Sequence, residues 1–329
     1  MPVQIRKLKK EELTLELFAP FDRSQYCPRQ WQKQKNGQWE LISSCMTQEN
    51  WSLQQRQFLL ECLKNTLETG GLVLGALDGE QLIAFGSVER VSPDKAGDLL
   101  ELTSLHVSRE HRRQGLGKEL FFRCGAWAVN HGAQKLLIGA NPAEETIAFY
   151  RGLGCQDSQG EEGSFLASKE DMPLICPLPP VLLQEVSEGK KRWLELLLLG
   201  DEQESMIDRY LERGRMYLLW WNEKVRTCAV VTQEGEGIFE LKNLATNPED
   251  QGLGFGQEMI CRLLRLYQGK GEAMLVGTGD SPLTVPFYER CGFVFSHRVK
   301  DFFIRHYDHP IIEDGVVLRD MVYLRRPLK

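Results

Sequence analysis

Two six-residue runs in this 329-residue chain have the composition of an anion site: Arg112-Arg113-Gln114-Gly115-Leu116-Gly117 and Gln251-Gly252-Leu253-Gly254-Phe255-Gly256. Glycine has no Cβ, so successive backbone N–H groups can turn toward one point. A helix starting there adds roughly half a positive elementary charge at its N-terminus. Such a turn suits a phosphate, and the amides of Arg113 to Gly117 and of Gly252 to Gly256 are the candidate donors. Two other glycine-rich signatures fail on spacing. A Walker A loop needs Gly-Lys-Ser/Thr, but Lys118 is followed by Glu119; a dinucleotide fingerprint needs Gly-x-Gly-x-x-Gly, which Gly252, Gly254 and Gly256 do not supply.

The flanking residues predict what holds each turn. Apolar strands are expected over 99–107 and 238–246 before the turns. Afterwards Leu120, Phe121, Cys124 and Trp127, and likewise Phe255, Met259, Ile260, Leu263, Leu264 and Tyr267, recur at helical spacing. Further strands are expected at 72–77, 82–91 and 135–139, with a hairpin signal at Asp78-Gly79, and at 216–221, 225–232 and 273–277. Gly132 is placed to close the first helix. Residues 10–70 predict two helices around a Trp- and Gln-rich stretch holding Trp31, Trp39 and Trp51, read as core and lid packing, with the wall of a substrate pocket as the alternative. Residues 186–215 read as a helix-rich opening of a second half.

The two halves repeat. Glu240 minus Glu101 is 139, as are Gly254 minus Gly115 and Gly256 minus Gly117, while Tyr288 minus Tyr150 is 138. The same features in one order, with a slip of one residue, imply two copies of one fold. The polar and then Pro-rich stretch 157–180 is the expected linker, giving domains 1–175 and 181–329.

Composition narrows the class. Hydrophobic residues at 42% and charged residues at 26% are ordinary for a globular protein, and a net charge of −6 argues against a nucleic-acid surface. Nine cysteines without a Cys-x-x-Cys read as reduced core thiols, with no metal expected. The longest apolar run, Leu196 to Leu199, is too short for a membrane span, and the first residues do not resemble a secretory signal, so a cytoplasmic protein is expected.

Arg112-x-x-Gly115-x-Gly117 and Gln251-x-x-Gly254-x-Gly256 resemble the acetyl-CoA motif of the GNAT N-acetyltransferase superfamily, Gln/Arg-x-x-Gly-x-Gly/Ala. The Phe-Tyr-x-x-x-Gly element follows about 33 residues later in both halves, as Phe149-Tyr150 with Gly154 and Phe287-Tyr288 with Gly292. The resemblance covers 72–155 and 216–325 best. It departs where many members carry Asn six residues before that Phe, here Ala143 and Ser281, and where Cys155 replaces a common Phe that Phe293 keeps.

The resemblance implies an α/β (α+β) fold of two tandem domains, each a mixed, mostly antiparallel sheet flanked by helices. It implies acetyl-CoA as co-substrate, no metal, and transfer of the acetyl group to a primary amine. An alkylamine with pKa near 10.4 is neutral only about once in a few thousand at pH 7, so a base is needed. Some members carry that base as a Glu eleven residues before the motif, which maps to Glu101 and Glu240; Tyr150 and Tyr288 map to the acid that protonates the CoA thiolate. Backbone N–H groups near Leu105 to Val107 and Leu244 to Thr246 map to the donors for acetyl and pantetheine. Arg112 and Arg113 favour the donor in the first half, whereas Glu249 and Asp250 disfavour it in the second. Asp308, Glu313 and Asp314 hint at a cationic acceptor. Three organisations stay open: two active halves, one active and one degenerate half, or a CoA-binding regulator without turnover. So do a monomer and a homodimer.

Overall fold

The computed structural model describes residues 3–90, 98–158, 166, 168–313 and 315–329, apart from the side chain of Met46. The chain divides into two compact units, Met1–Pro180 and Val181–Lys329. Among the described residues no helix is long and apolar enough to cross a membrane.

In the first unit the order is β1 (Gln4–Lys7), α1 (Leu15–Phe18), β2 (Gln25–Lys33), β3 (Trp39–Gln48), α2 (Leu53–Glu68), β4 (Leu72–Asp78), β5 (Gln81–Arg90), β6 (Leu99–Val107), α3 (Leu116–Asn130), β7 (Lys135–Ala140), α4 (Glu144–Gly152), β8 (Gln156–Asp157) and β9 (Met172–Pro177). Seven strands form one sheet, β1-β4-β5-β6-β7-β9-β8, in which only β6 and β7 run parallel. One face packs Phe85 and Val73 against Phe18, Phe21, Leu60 and Leu63 of the α1–α2 region. The other carries α3, which lies on β4, β5 and β6 and buries Leu120, Phe121, Cys124 and Trp127. Helix α2 starts at a capping box, in which Ser52 Oγ accepts from Gln55 N–H and Gln55 Oε1 accepts from Ser52 N–H.

Two sequence expectations change here. The stretch between α1 and α2 is an antiparallel hairpin, β2–β3, closed at Asn36-Gly37, where Gly37 takes φ +85°. Asn-Gly is a hairpin signal, but here it is flanked by the polar Gln34, Lys35 and Gln38, which masked it. The Pro-rich segment expected as linker contains β9, which pairs antiparallel with β7 and buries Met172, Leu174 and Cys176. Pro173 and Pro177 are tolerated because the strand on the far side, β8, is only two residues long and asks for few N–H groups.

The second unit runs β10 (Leu182–Val186), α5 (Leu194–Leu197), α6 (Glu204–Ile207), β11 (Arg215–Trp221), β12 (Lys224–Gly235), β13 (Ile238–Thr246), α7 (Phe255–Tyr267), β14 (Ala273–Gly279), α8 (Thr284–Arg290), β15 (Val294–Val299), α9 (Phe302–His306), β16 (Ile312–Glu313), β17 (Val316–Val317) and β18 (Met321–Pro327). Its sheet order is β10-β11-β12-β13-β14-β18-β15, again with one parallel pair, β13 and β14. The helix-rich opening is thinner than expected: a strand, a 3-10 helix over Lys190–Trp193 and two four-residue α-helices.

The same distortion interrupts both sheets. Strands β6 and β7 pair only over Leu99–Leu102 and Lys135–Ile138, then part. At that point Leu102 faces Val88 and Ser104 faces Ser87, leaving Thr103 as the extra residue of a β-bulge. Strands β13 and β14 pair only over Ile238–Leu241 and Ala273–Val276, and Lys242 is the extra residue between Leu241 and Asn243. Thr103 plus 139 is Lys242. A bulge bends its strand, so each unit opens a wedge one residue beyond its last parallel pair.

Candidate active site

Past the bulge, residues Thr103 to Val107 of β6 have no strand on their β7 side among the described residues, so backbone groups near Leu105 and Val107 line an open wedge; Leu244 and Thr246 occupy the same places on β13.

At the top of each wedge the chain turns left-handed. Gly115 (φ +85°) and Gly254 (φ +99°) cap α3 and α7, and two residues earlier Gly252 takes φ +75°. Arg113 holds φ +64° at the equivalent point of the first unit, a conformation costing a non-glycine residue roughly 1 kcal/mol. The last glycines work differently: a Cβ on Gly117 would lie 3.4 Å from the Phe149 ring, and one on Gly256 3.4 Å from the Phe287 ring. They let the Phe of each Phe-Tyr pair rest against the first turn of the helix, which leaves Tyr150 and Tyr288 facing inward and buried.

The first residue of each motif is a fastener. Arg112 Nε donates to Val107 O (3.0 Å), and its terminal nitrogens donate to Ser24 O (3.0 Å) and Arg23 O (2.8 Å). Gln251 Nε2 donates to Thr246 O (3.3 Å), the matching carbonyl. Gln114 Nε2 likewise donates within its turn, to Glu110 O (3.3 Å). Arg112 is thus occupied, and Arg113 is exposed beside Glu145 at 3.5 Å. In the second unit Asp250 is neutralised by Arg226, both buried, at 2.9 Å. The acidic side of the expected contrast is thereby reduced to the exposed Glu249, while Arg112 keeps its charge beside the first turn. Leu253 and Phe255 are buried, whereas Leu116 is half-exposed.

The two strand carboxylates differ sharply. Glu101 faces Glu89 and Asp171, and partial burial with these two like charges pushes its pKa up to about 7. Burial also raises Asp171, which sits beside Gly139 at the end of β7. Glu240 is more deeply buried, but its Oε1 lies 2.9 Å from Lys242 Nζ. It is half of an ion pair. Further along the same face, the first unit has Ser104 and His106, the imidazole held neutral by burial and packed between Trp51 and Phe85. The second has Asn243 and Ala245, both buried. Asn243 Nδ2 donates to Leu197 O (2.9 Å) and to Tyr210 Oη (3.1 Å), while Tyr210 and Tyr307 both donate to Asp201 (3.2 and 3.0 Å). These side chains form one hydrogen-bonded network against β13.

Burial raises the pKa of Tyr150 and of Tyr288 well above the ordinary phenol range. Each keeps its proton at neutral pH and is suited to donate a hydrogen bond. Of the acidic trio expected near the acceptor, Asp308 pairs with His309, Glu313 accepts from Thr284 Oγ1 (3.3 Å), and Asp314 lies outside the described residues. Among the described residues no three His, Cys, Asp or Glu side chains are grouped as a metal would require.

Sequence reasoning missed Thr103, Lys242, Glu89 and Asp171, and also the cavity below the hairpin. This cavity, of about 540 Å³, is lined by Arg23, Gln30, Asn50, Trp51, Gln55 and Asn141 among others. Only Trp51 carried a signal, as one of the tryptophans considered for a pocket wall.

The profile of the acetyltransferase (GNAT) family matches residues 36–155. An uncharacterised N-acetyltransferase of Bacillus subtilis strain 168, YvbK, is 34% identical over 132 residues, 40% of this chain and 85% of that protein. Among solved structures, a Bacillus subtilis acetyltransferase in complex with CoA is 30% identical, the match covering 45% of this chain and 98% of that one, with a TM-score of 0.42. A GNAT family acetyltransferase from Elizabethkingia anophelis with acetyl-CoA bound is 28% identical over 45% and 97% of the chains, with a TM-score of 0.43.

Proposed function

The chain belongs to the GNAT acetyltransferase family, and on that premise we propose that its first unit transfers an acetyl group from acetyl-CoA directly to a primary amine, with Glu101 as general base. The observation that carries this is the contrast between Glu101, which among the described residues has no cation beside it and whose pKa is near neutrality, and Glu240, fastened to Lys242. A base poised near the working pH takes up a proton and releases it again.

The parts then divide as follows. The turn amides of Arg113 to Gly117 hold the diphosphate of acetyl-CoA, and the free β6 backbone near Leu105 and Val107 receives the pantetheine arm and the thioester carbonyl. Glu101, directly or through a water, removes the proton of the ammonium acceptor. The amine nitrogen bonds to the carbonyl carbon, the C–S bond breaks, and the second amine proton passes to the departing sulfur, so that CoA leaves as its thiol and Glu101 later gives its proton to water. Tyr150, which holds its proton firmly, steadies that sulfur by hydrogen bonding. Glu89 and Asp171 beside Glu101 favour a cationic acceptor.

The second unit keeps the left-handed phosphate turn (Gly252, Gly254) but has its carboxylate paired and Asn243 tied into a hydrogen-bonded network. Its role in this reading is donor binding without transfer, with Tyr288 and the Leu244–Thr246 backbone in matching but idle places.

Thiol release from acetyl-CoA across a broad amine panel tests the proposal. Glu101→Gln should lower turnover about 10²- to 10³-fold, and Glu240→Gln less than about threefold. Equal losses would mean two working halves, and no release above background with any amine would mean a donor-binding protein only.

A further inference from the structure

The hairpin β2–β3 has no counterpart in the second unit, where α5 and α6 follow each other without a strand between them. It is fastened across the mouth of the first wedge. Trp31 N–H donates to Pro142 O (2.7 Å), Gln30 bridges Ala143, Arg29 pairs with Glu144, and the Arg151 guanidinium lies over the Trp31 ring at 4.6 Å. Under this roof lies the 540 Å³ cavity, floored by Trp51 and bounded on the β7 side by Asn141 and Ala143. Glu101 is level with Leu137 in the parallel pair, so the cavity opens four to six residues further along the wedge (141 − 137 and 143 − 137).

Inside it one cation has donors to spare. Arg23 is half-buried, with its guanidinium 5.0 Å from the Trp51 ring centre; among the described residues its side chain donates one long hydrogen bond, to Glu49 O at 3.4 Å. A guanidinium has five N–H groups in a planar fork that matches a carboxylate. The surrounding Gln30, Gln55, Asn50 and Asn141 are uncharged, and the one carboxylate of the lining, Glu49, is exposed to water. The wedge is therefore polarised, acidic around Glu101, Glu89 and Asp171 and basic at Arg23.

We propose that this cavity is the acceptor pocket and that Arg23 holds a carboxylate in it, so that the acceptor is a primary amine that also carries a carboxylate. The inference rests on the transferase reading of the first unit. The same fork could instead meet a phosphate of CoA, and the two sources separate experimentally.

The test uses the purified full chain and acetyl-CoA with each of a set of amino acids beside its decarboxylated amine. For at least one pair, kcat/KM for the amino acid should exceed that for the amine by roughly 10- to 100-fold, the worth of one charge-assisted contact. Arg23→Gln should bring that ratio close to one through KM, and Arg23→Lys should restore part of it. An amine that works as well as its amino acid overturns the proposal, as does an Arg23→Gln variant whose main change is weaker CoA binding by calorimetry. If nothing is turned over, calorimetry on the CoA-loaded protein decides. Submillimolar binding of an amino acid that Arg23→Gln abolishes supports the assignment, and its absence overturns it, while CoA binding alone would leave the donor half of the transferase reading standing.

Discussion

Thr103 and Lys242 are the extra residues of two equivalent bulges, and each stands two positions after a strand carboxylate. Lys242 places an ammonium 2.9 Å from Glu240. Thr103 instead turns its hydroxyl to Ser87 Oγ at 2.7 Å and brings no charge to Glu101. The side-chain difference at this bulge gives Glu240 an ion pair, while burial and the charges of Glu89 and Asp171 raise the pKa of Glu101.

Exchanging that residue should move the chemistry. Thr103→Lys would bring a cation to Glu101 and favour its charged form. The acidic limb of kcat/KM should shift down by about one pH unit or more, measured between about pH 5 and pH 9. A limb that stays in place would show that Thr103 does not set the base.

Glu101 also predicts how stability follows pH. Its folded pKa of about 7 lies above the ordinary carboxyl value. Between the two, the folded chain binds a proton that the unfolded chain has already released. Stability should therefore fall as pH rises from about 4.5 to about 7 and level off above that. In Glu101→Gln this part of the slope should vanish, which urea midpoints at several pH values would reveal.

Breaking the pair in the second unit should be costly. Lys242→Met leaves Glu240 buried with its main cation gone, and a loss of about 2–4 kcal/mol is expected by denaturant unfolding. Adding Glu240→Gln to that variant should recover a good part of the loss. Two costs that simply add would exclude the coupling.

The left-handed residue of the first turn offers a change in the other direction. Arg113→Gly would relieve the strained φ and give up only an exposed contact with Glu145 at 3.5 Å. With the extra chain entropy of glycine set against that relief, a gain of up to about 0.5 kcal/mol is expected. A lower midpoint would mean that the arginine side chain holds the turn in another way.

The sequence carried the repeat, the strands on either side of each turn and the turns themselves, because such features are written in local residue order. Gly115 and Gly254 are needed where the backbone turns left-handed, and apolar spacing changes from two to between three and four where strand gives way to helix. It hid the hairpin β2–β3, whose Asn36-Gly37 signal lay among polar residues, and strand β9, whose prolines read as a break.

What no local pattern contained was the state of the two carboxylates. Glu101 and Glu240 occupy the same place in the repeat and read alike in sequence. Lys242 is visible two residues past Glu240, but only the bulge brings its ammonium onto the carboxylate, and only folding sets Glu89 and Asp171 beside Glu101. Local residue order determined two glycine turns on two copies of one fold. Tertiary structure decided which strand carboxylate is paired with a cation and which stands beside like charges, because those neighbours are brought near from elsewhere in the chain.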